Sequence, residues 1–128
     1  MNKKILIVDD SATIRRSVIQ TLEPAGFEVL TACDGLSGIA KLQSTPDLSL
    51  VILDLNMPGL TGIGVLERLR DEKHQSPPIV MMTTEVAPSQ IERAKQAGAL
   101  AWVVKPFKPD QLVAMAKKLT TPRVKAPA

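Results

Sequence analysis

Five side chains suited to acid–base or phosphate chemistry stand directly after short apolar runs in this sequence. They are Asp9, Asp10, Asp54, Thr83 and Lys105. If the apolar runs are parallel strands of one sheet, their carboxyl ends meet at one edge, and three carboxylates, a hydroxyl and an ammonium share a small site. Two carboxylates about 4 Å apart repel by roughly 4 kcal/mol at an effective dielectric constant of about 20. Such a site therefore needs relief from charge repulsion.

A proton or a hard divalent cation can supply that relief. One carboxyl group with a raised pKa is the first solution. Mg²⁺ is the second, with Mn²⁺ as a variant, because both prefer oxygen ligands. Cys33 and His74 lie outside the group of acids, which argues against zinc. A phosphoryl oxygen between a cation and Lys105 would have its charge neutralised. Asp54 is then placed to be the nucleophile, and Thr83 can offer its hydroxyl.

Taken one at a time, the same residues have plainer explanations. Asp10 with Ser11 could cap a helix. Asp54 could be a turn residue before Pro58, and Lys105 could be an ordinary surface lysine. Their joint placement after the apolar runs favours a functional site over these separate explanations.

Five apolar runs predict the strands of a sheet. Residues 5–8, 50–53, 79–82 and 102–104 are apolar throughout and rich in β-branched side chains. They do not alternate with polar residues, which indicates strands buried on both faces, as in parallel sheets. A weaker run at 27–31 suits the edge of the sheet.

Helical patterns separate these runs. Pro24 lies near the end of the first helix, Gly98 is expected to cap the end of the fourth, and Pro109 suits the first turn of the fifth. The alternation predicts a doubly wound α/β fold, a five-stranded parallel sheet of order 2-1-3-4-5 with five helices in a flavodoxin-like three-layer sandwich. The predicted core-facing residues are Ile14, Val18 and Leu22; Leu36, Ile39 and Ala40; Ile63, Leu66 and Leu69; Ile91, Ala94 and Ala97; and Leu112, Val113, Ala116 and Leu119.

Length and composition bound the remaining expectations. We predict one folded domain over residues 1–120 and a basic, proline-containing, flexible tail over residues 121–128. Four basic residues and no acid lie in 117–128, and removing them changes the formal net charge from +3 to −1. This distribution indicates a solvated end rather than a nucleic-acid-binding arm. Without a signal peptide or an apolar stretch of about eighteen residues, the protein is expected to be cytoplasmic, with no membrane span.

Four motifs, taken in order, resemble those of the response-regulator receiver family, and in particular its stand-alone, chemotaxis-type (CheY-like) members. The resemblance extends from about Lys4 to Leu119, so residues 1–120 are expected to form a receiver domain. Each motif alone is weak, but all four in order after predicted strands are highly specific. They are Ile7-Val8-Asp9-Asp10-Ser11, Asp54-Leu55-Asn56-Met57-Pro58 with Gly62, Met82-Thr83, and Lys105-Pro106-Phe107.

The resemblance implies a role for each matching residue. Asp54 corresponds to the phosphoacceptor, which receives its phosphoryl group from a phosphohistidine. Asp9 and Asp10, with Asp54 and the backbone carbonyl of Asn56, correspond to the ligands of Mg²⁺. Thr83 corresponds to the switch hydroxyl. Lys105 corresponds to the phosphate-binding lysine, in a Lys105–Pro106 bond that is often cis in the family. The implied protein is a switch that assists its own phosphorylation and dephosphorylation, not a classical enzyme.

Four positions bear on how such a switch would work. Trp102 stands where the family usually has Tyr or Phe as the aromatic switch, and its larger ring is expected to bury less readily. Thr84 stands where a small residue is commoner and is expected to narrow access to Asp54. Asn56 and Glu85 occupy positions that tune phosphoryl lifetime in the family. The same pair occurs in short-lived switches, so we predict a lifetime of seconds to minutes rather than hours.

The resemblance also implies partners. A sensor histidine kinase or a histidine phosphotransfer protein would supply the phosphoryl group. The signal would pass through the fourth helix, fifth strand and fifth helix to a downstream protein such as a flagellar motor component. We expect a monomer without a DNA-binding domain. Service as a phosphorelay intermediate or phosphate sink stays open.

Three other functions fit the sequence less well. An FMN-binding, flavodoxin-like electron carrier needs a first loop that binds phosphate directly, but Asp9 and Asp10 would repel it. A hydrolase with an aspartyl nucleophile usually has a second acid two residues later, where this chain has Asn56. A pseudo-receiver would bind partners without phosphorylation, but the predicted site is complete.

Overall fold

The five apolar runs form five parallel strands in the computed structural model, which describes residues 3–72, 76–84 and 87–120. The sheet has the predicted order β2-β1-β3-β4-β5, which places β2 at one edge and β5 at the other. The predicted tail and His74 lie outside the described residues. The strands are β1 (Lys4–Val8), β2 (Glu28–Ala32), β3 (Leu48–Asp54), β4 (Ile79–Thr83) and β5 (Ala101–Val104).

Five helices connect the strands. Ser11, Asp34 and Thr61 begin the first three as N-caps, because their side chains accept backbone N–H groups of the first turn. Gly98, with a φ of +109°, follows the fourth helix in the left-handed conformation expected after a helix end. The helices are α1 (Ala12–Leu22), α2 (Gly35–Ser44), α3 (Gly62–Asp71), α4 (Pro88–Gln96) and α5 (Pro109–Thr120), with a short 3₁₀ turn at Glu23–Ala25 after α1.

Two hydrophobic cores lie on opposite faces of the sheet. Side chains of each central strand alternate between them, so that Leu6 and Val8 enter one core whereas Ile5 and Ile7 enter the other. The first core is closed by α2, α3 and α4, and the second by α1 and α5. The predicted three-layer sandwich is therefore confirmed, and β1, β3 and β4 are buried on both faces because helices cover both.

The predicted face of α2 was partly wrong. Ile39 is buried as expected, but Leu36 is 60% exposed and Ala40 also faces solvent. Gly38 faces the sheet instead, so close that a Cβ there would lie 2.9 Å from Cγ2 of Val8. A helix that approaches a strand this closely presents glycines to it, and a count of apolar side chains assigns the wrong face.

Strand β5 also departs from expectation. The run at 102–104 was predicted to be buried on both faces, yet Trp102 and Val103 are half-buried and Val104 is 51% exposed. The reason is topological, since among the described strands β5 pairs with β4 alone and stands at the edge of the sheet.

Helix α4 is the most weakly anchored helix of the described residues. Ala94 is its single buried residue, and its N-cap Ala87 makes no side-chain capping bond. Arg93 of α4 pairs with Glu67 of α3 at 2.8 Å, but this pair lies in solvent and contributes little. The apolar face of α4 is therefore thin.

We expect amide hydrogens of α4 to exchange faster than those of α3. Helix α3 buries Ile63, Val65, Leu66 and Leu69, whereas α4 buries one alanine. One fully buried aliphatic side chain contributes about 1.5–3 kcal/mol, so the opening free energy of α4 should be lower by at least about 1.5 kcal/mol. Hydrogen exchange read by mass spectrometry measures this difference. Equal protection in both helices would contradict it.

Candidate functional site

The carboxyl edge of the sheet brings the predicted acids together. Asp9 and Asp10 follow β1, and Asp54 is the last residue of β3. One carboxylate oxygen from each lies within 4.8 Å of the others. Asp9 and Asp54 are buried, whereas Asp10 is exposed. The parallel strands therefore place two buried acids and one exposed acid in a single cluster.

Lys105 extends from the loop after β5 into this cluster. Its Nζ lies 2.8 Å from Oδ2 of Asp9 and 3.3 Å from Oδ1 of Asp54. The Lys105 amide donates to the carbonyl of Thr83 at 2.8 Å, which ties the lysine to the end of β4. The Lys105–Pro106 bond is cis, as expected. One ammonium thus bridges both buried carboxylates.

Asp9 is held from several directions. The Ser11 amide donates to its Oδ1 at 2.9 Å, and its own amide donates to the carbonyl of Ala32 at 3.1 Å. Nη1 of Arg15 donates to the carbonyl oxygen of Asp9 at 2.7 Å. The sequence did not assign Arg15 to the acidic site, because nothing in a helical pattern shows that a side chain reaches back to the preceding loop.

The loop after β3 folds closely around Asp54. The Asn56 amide donates to Oδ1 of Asp54 at 3.3 Å, and the Gly62 amide donates to the carbonyl of Leu55 at 3.0 Å. A Cβ on Gly62 would lie only 2.2 Å from the carbonyl oxygen of Asp54. Gly59 supplies the turn with a φ of +77°, a conformation that favours glycine. The loop backbone thus packs directly against the backbone of Asp54.

Burial and charge shift both ionisable groups at the centre of the site. Burial, reinforced by the negative charge of Asp9, raises the pKa of Asp54 from 3.8 to about 6, although Lys105 acts in the opposite direction. Burial alone would lower the pKa of Lys105, but the hydrogen bond and charge of Asp9, together with Asp54, raise it overall. Lys105 is thus a cation at neutral pH, whereas the pKa of Asp54 lies well above the usual range of a carboxyl group.

The remaining predicted residues lie around this centre. Thr83 is buried at the end of β4, and Thr84 is exposed directly after it. Asn56 is exposed after β3, whereas Glu85 lies outside the described residues. Trp102 packs against the core that contains Ala94, and its Nε1 is buried without a hydrogen-bond partner within the described part of the chain. The residue as a whole is half-buried.

The donor set at the edge of the sheet fits Mg²⁺. Asp9, Asp10 and Asp54 offer hard carboxylate oxygens. Burial, followed by the negative charge of Asp9, keeps the pKa of Asp54 raised even beside Lys105, and a bound cation would favour the ionised carboxylate. Cys33 is exposed and does not belong to this group of acids. Fold and site together define a flavodoxin-like α/β domain with an acidic pocket of the receiver type.

A family model described as the response regulator receiver domain matches residues 5–117, so the chain belongs to this family. Receiver domains are phosphoacceptor switches of two-component signalling, and their partners are histidine kinases and histidine phosphotransfer proteins. Among the helices of the described ranges, none is sufficiently long and apolar to cross a membrane.

Similar proteins include several named for chemotaxis. The chain is 39% identical over 111 residues to chemotaxis protein CheY1 of Helicobacter pylori, covering 85% of this chain and 90% of that protein. It is 44% identical over 108 residues to CheY-3 of Vibrio cholerae, covering 83% and 82%. The crystal structure of V. cholerae CheY4 at low pH matches with a TM-score of 0.85 and 39% identity, covering 93% of this chain and 99% of that one.

Proposed function

We propose that this receiver domain accepts a phosphoryl group on Asp54 from the phosphohistidine of a sensor kinase or phosphotransfer protein. The observation that carries the proposal is the bridging of Asp54 and Asp9 by the ammonium of Lys105, at 3.3 and 2.8 Å, inside an acidic cluster. An ionised carboxylate beside a fixed cation is suited to attack phosphorus, because most of the catalysis of this reaction is charge stabilisation.

The transfer needs few groups. A carboxylate oxygen of Asp54 forms a bond to phosphorus as the N–P bond of the donor breaks, and that electron pair returns to the imidazole nitrogen. Lys105 binds a phosphoryl oxygen, and the hydroxyl of Thr83 donates to another. Asp9, Asp10, Asp54 and the carbonyl of Asn56 would hold Mg²⁺, which supplies positive charge opposite that of Lys105 when it is bound.

The signal is proposed to leave through α4, β5 and α5. Phosphorylation adds negative charge and strong acceptors beside Thr83 and Lys105. Weakly anchored α4 and half-buried Trp102 are suited to respond. A groove of about 540 Å³ between β5 and α5, beside exposed Val104, supports this surface as the docking site of a downstream protein. The names of the relatives favour a chemotaxis partner such as a flagellar motor component, bound by a cytoplasmic monomer.

Intact-protein mass after incubation with acetyl phosphate tests the proposal. We expect a gain of one phosphoryl group that requires Mg²⁺, is lost in Asp54→Asn, and is retained in Asp110→Asn, which alters an exposed acid in the first turn of α5. A gain that persists in Asp54→Asn would contradict the assignment. No gain in the wild-type protein would favour a pseudo-receiver.

We also propose that the phosphoryl group is short-lived, with self-catalysed loss over seconds to minutes. Asn56 is exposed beside Asp54, where its side chain can order an attacking water, and Glu85 follows two residues after Thr83. We expect replacement of both residues by alanine to change the hydrolysis rate by roughly tenfold, which is less than the roughly 10²–10⁴-fold typical of general acid–base catalysis because Asn56 is proposed only to order the water. The decay of phosphoprotein after donor removal measures this rate. An unchanged rate would refute the role of the pair.

A further inference from the structure

Arg15 makes an unusual contact with the acidic cluster. It lies in the first half of α1, is half-buried, and its Nη1 donates to the carbonyl oxygen of Asp9 at 2.7 Å. This carbonyl belongs to the peptide bond between Asp9 and Asp10. Because a peptide unit is planar, a hydrogen bond to its oxygen fixes the direction in which the next residue leaves.

Asp10 is the acid that depends most on this restraint. The side chain of Asp9 is fixed by Ser11 and Lys105, and that of Asp54 by Lys105 and Asn56. Over the described ranges, by contrast, the exposed carboxylate of Asp10 has no hydrogen bond or ion pair. Its position is therefore set by the backbone that Arg15 restrains.

We propose that Arg15 is a positioning residue that orients Asp10 toward the divalent cation by fixing the Asp9–Asp10 peptide. The inference rests on the proposed function, because it concerns the same metal site. It makes a prediction opposite in sign to that of simple electrostatics. Arg15 carries a positive charge beside a cation site, so Coulomb repulsion alone predicts tighter metal binding when it is removed. Positioning predicts weaker binding.

Binding of Mn²⁺, measured from the EPR signal of the free ion, separates the two effects. We expect Arg15→Ala to raise the Kd by about tenfold, the lower end of the range for lost support of a metal ligand. Arg15→Lys keeps the charge but loses the planar fork, so it should weaken binding as well. Arg16→Ala removes the same charge from the exposed neighbouring position and should leave the Kd unchanged or slightly lower. The measurements are made at an ionic strength of about 0.15 M, which screens the charges of exposed side chains such as Arg16.

A double-mutant cycle with Asp10 excludes a merely structural role. If Arg15 acts through Asp10, then Arg15→Ala should have no further effect on the Kd in an Asp10→Asn background. If Arg15→Ala does not fold, Arg15→Lys provides the same cycle. An Arg15 variant that binds Mn²⁺ as tightly as Arg16→Ala overturns this inference and leaves the proposed function standing. The proposed metal site is overturned as well if the wild-type protein does not bind Mn²⁺, or if Asp10→Asn alone leaves the Kd for Mn²⁺ unchanged.

Discussion

Replacing Asp54 with asparagine is expected to make the metal-free protein more stable at about pH 7.5, by on the order of 2–3 kcal/mol. Asparagine resembles the protonated acid, and the folded protein favours that form because burial and Asp9 raise the pKa of Asp54 from 3.8 to about 6. The folded state binds this proton more tightly than the unfolded state, so ionisation of Asp54 costs stability. Chemical denaturation measures the gain.

The stability advantage of Asp54→Asn should depend on pH. Well below pH 3.8 the acid is protonated in both states, and the variant should have no advantage. The advantage should grow between about pH 4 and pH 6, then stay constant above the folded-state pKa. Mg²⁺ should narrow the gap, because it stabilises the wild-type protein by mass action. The control Asp110→Asn removes an exposed acid from the first turn of α5 and should be slightly destabilising. If the variant were less stable than the wild-type protein at about pH 7.5, ionisation of Asp54 would not cost the folded protein stability.

Gly62→Ala is expected to lower the free energy of unfolding by about 3 kcal/mol, the upper end for overpacking. The new Cβ would lie 2.2 Å from the carbonyl oxygen of Asp54 and 2.9 Å from Cε of Met81. The terminal methyl group of Met81 can move away, but the backbone of Asp54 is held in β3. The start of α3 must therefore be displaced. Thermal or chemical denaturation measures the loss, and phosphorylation should fall with it.

Gly64→Ala in the same helix is the matched control. Its Cβ would lie 2.8 Å from Cδ1 of Leu60, the end of a flexible side chain that can rotate away. Glycine within a helix is less favourable than alanine by roughly 0.5–1 kcal/mol, so this variant should be neutral or slightly stabilised. Equal losses in the two variants would show that the close approach at Gly62 has no special cost.

Much of the fold and the centre of the site could be predicted from the sequence. The apolar runs predicted the central strands because helices on both faces remove the need for polar side chains. The acids, Thr83 and Lys105 were predicted to lie together because the carboxyl ends of parallel strands share an edge. Their separations, and the bridging of Asp9 and Asp54 by the lysine, depend on side-chain geometry that no spacing encodes.

The errors all concern tertiary contacts, which a local sequence pattern does not record. Apolar periodicity predicts which large side chains lie in the core, but it does not show where the backbone of a helix closely approaches a strand. Helix α2 presents Gly38 to β1 and leaves Leu36 in solvent for this reason. The reach of Arg15 to Asp9 is similar, because it depends on one rotamer of a long side chain. Edge position is equally invisible in a short run, which is why β5 is more exposed than predicted.

The thin core contact of α4 has a consequence for how domains of this kind diversify. Ala94 is the one buried residue of its nine, so the other positions can mutate with little effect on folding. Substitutions at those positions change the side chains that a partner protein contacts, while the acidic cluster stays intact. After gene duplication, the two copies can therefore come to bind different downstream proteins and still keep the same phosphoryl chemistry. Selection for a new partner then does not conflict with selection for a stable fold.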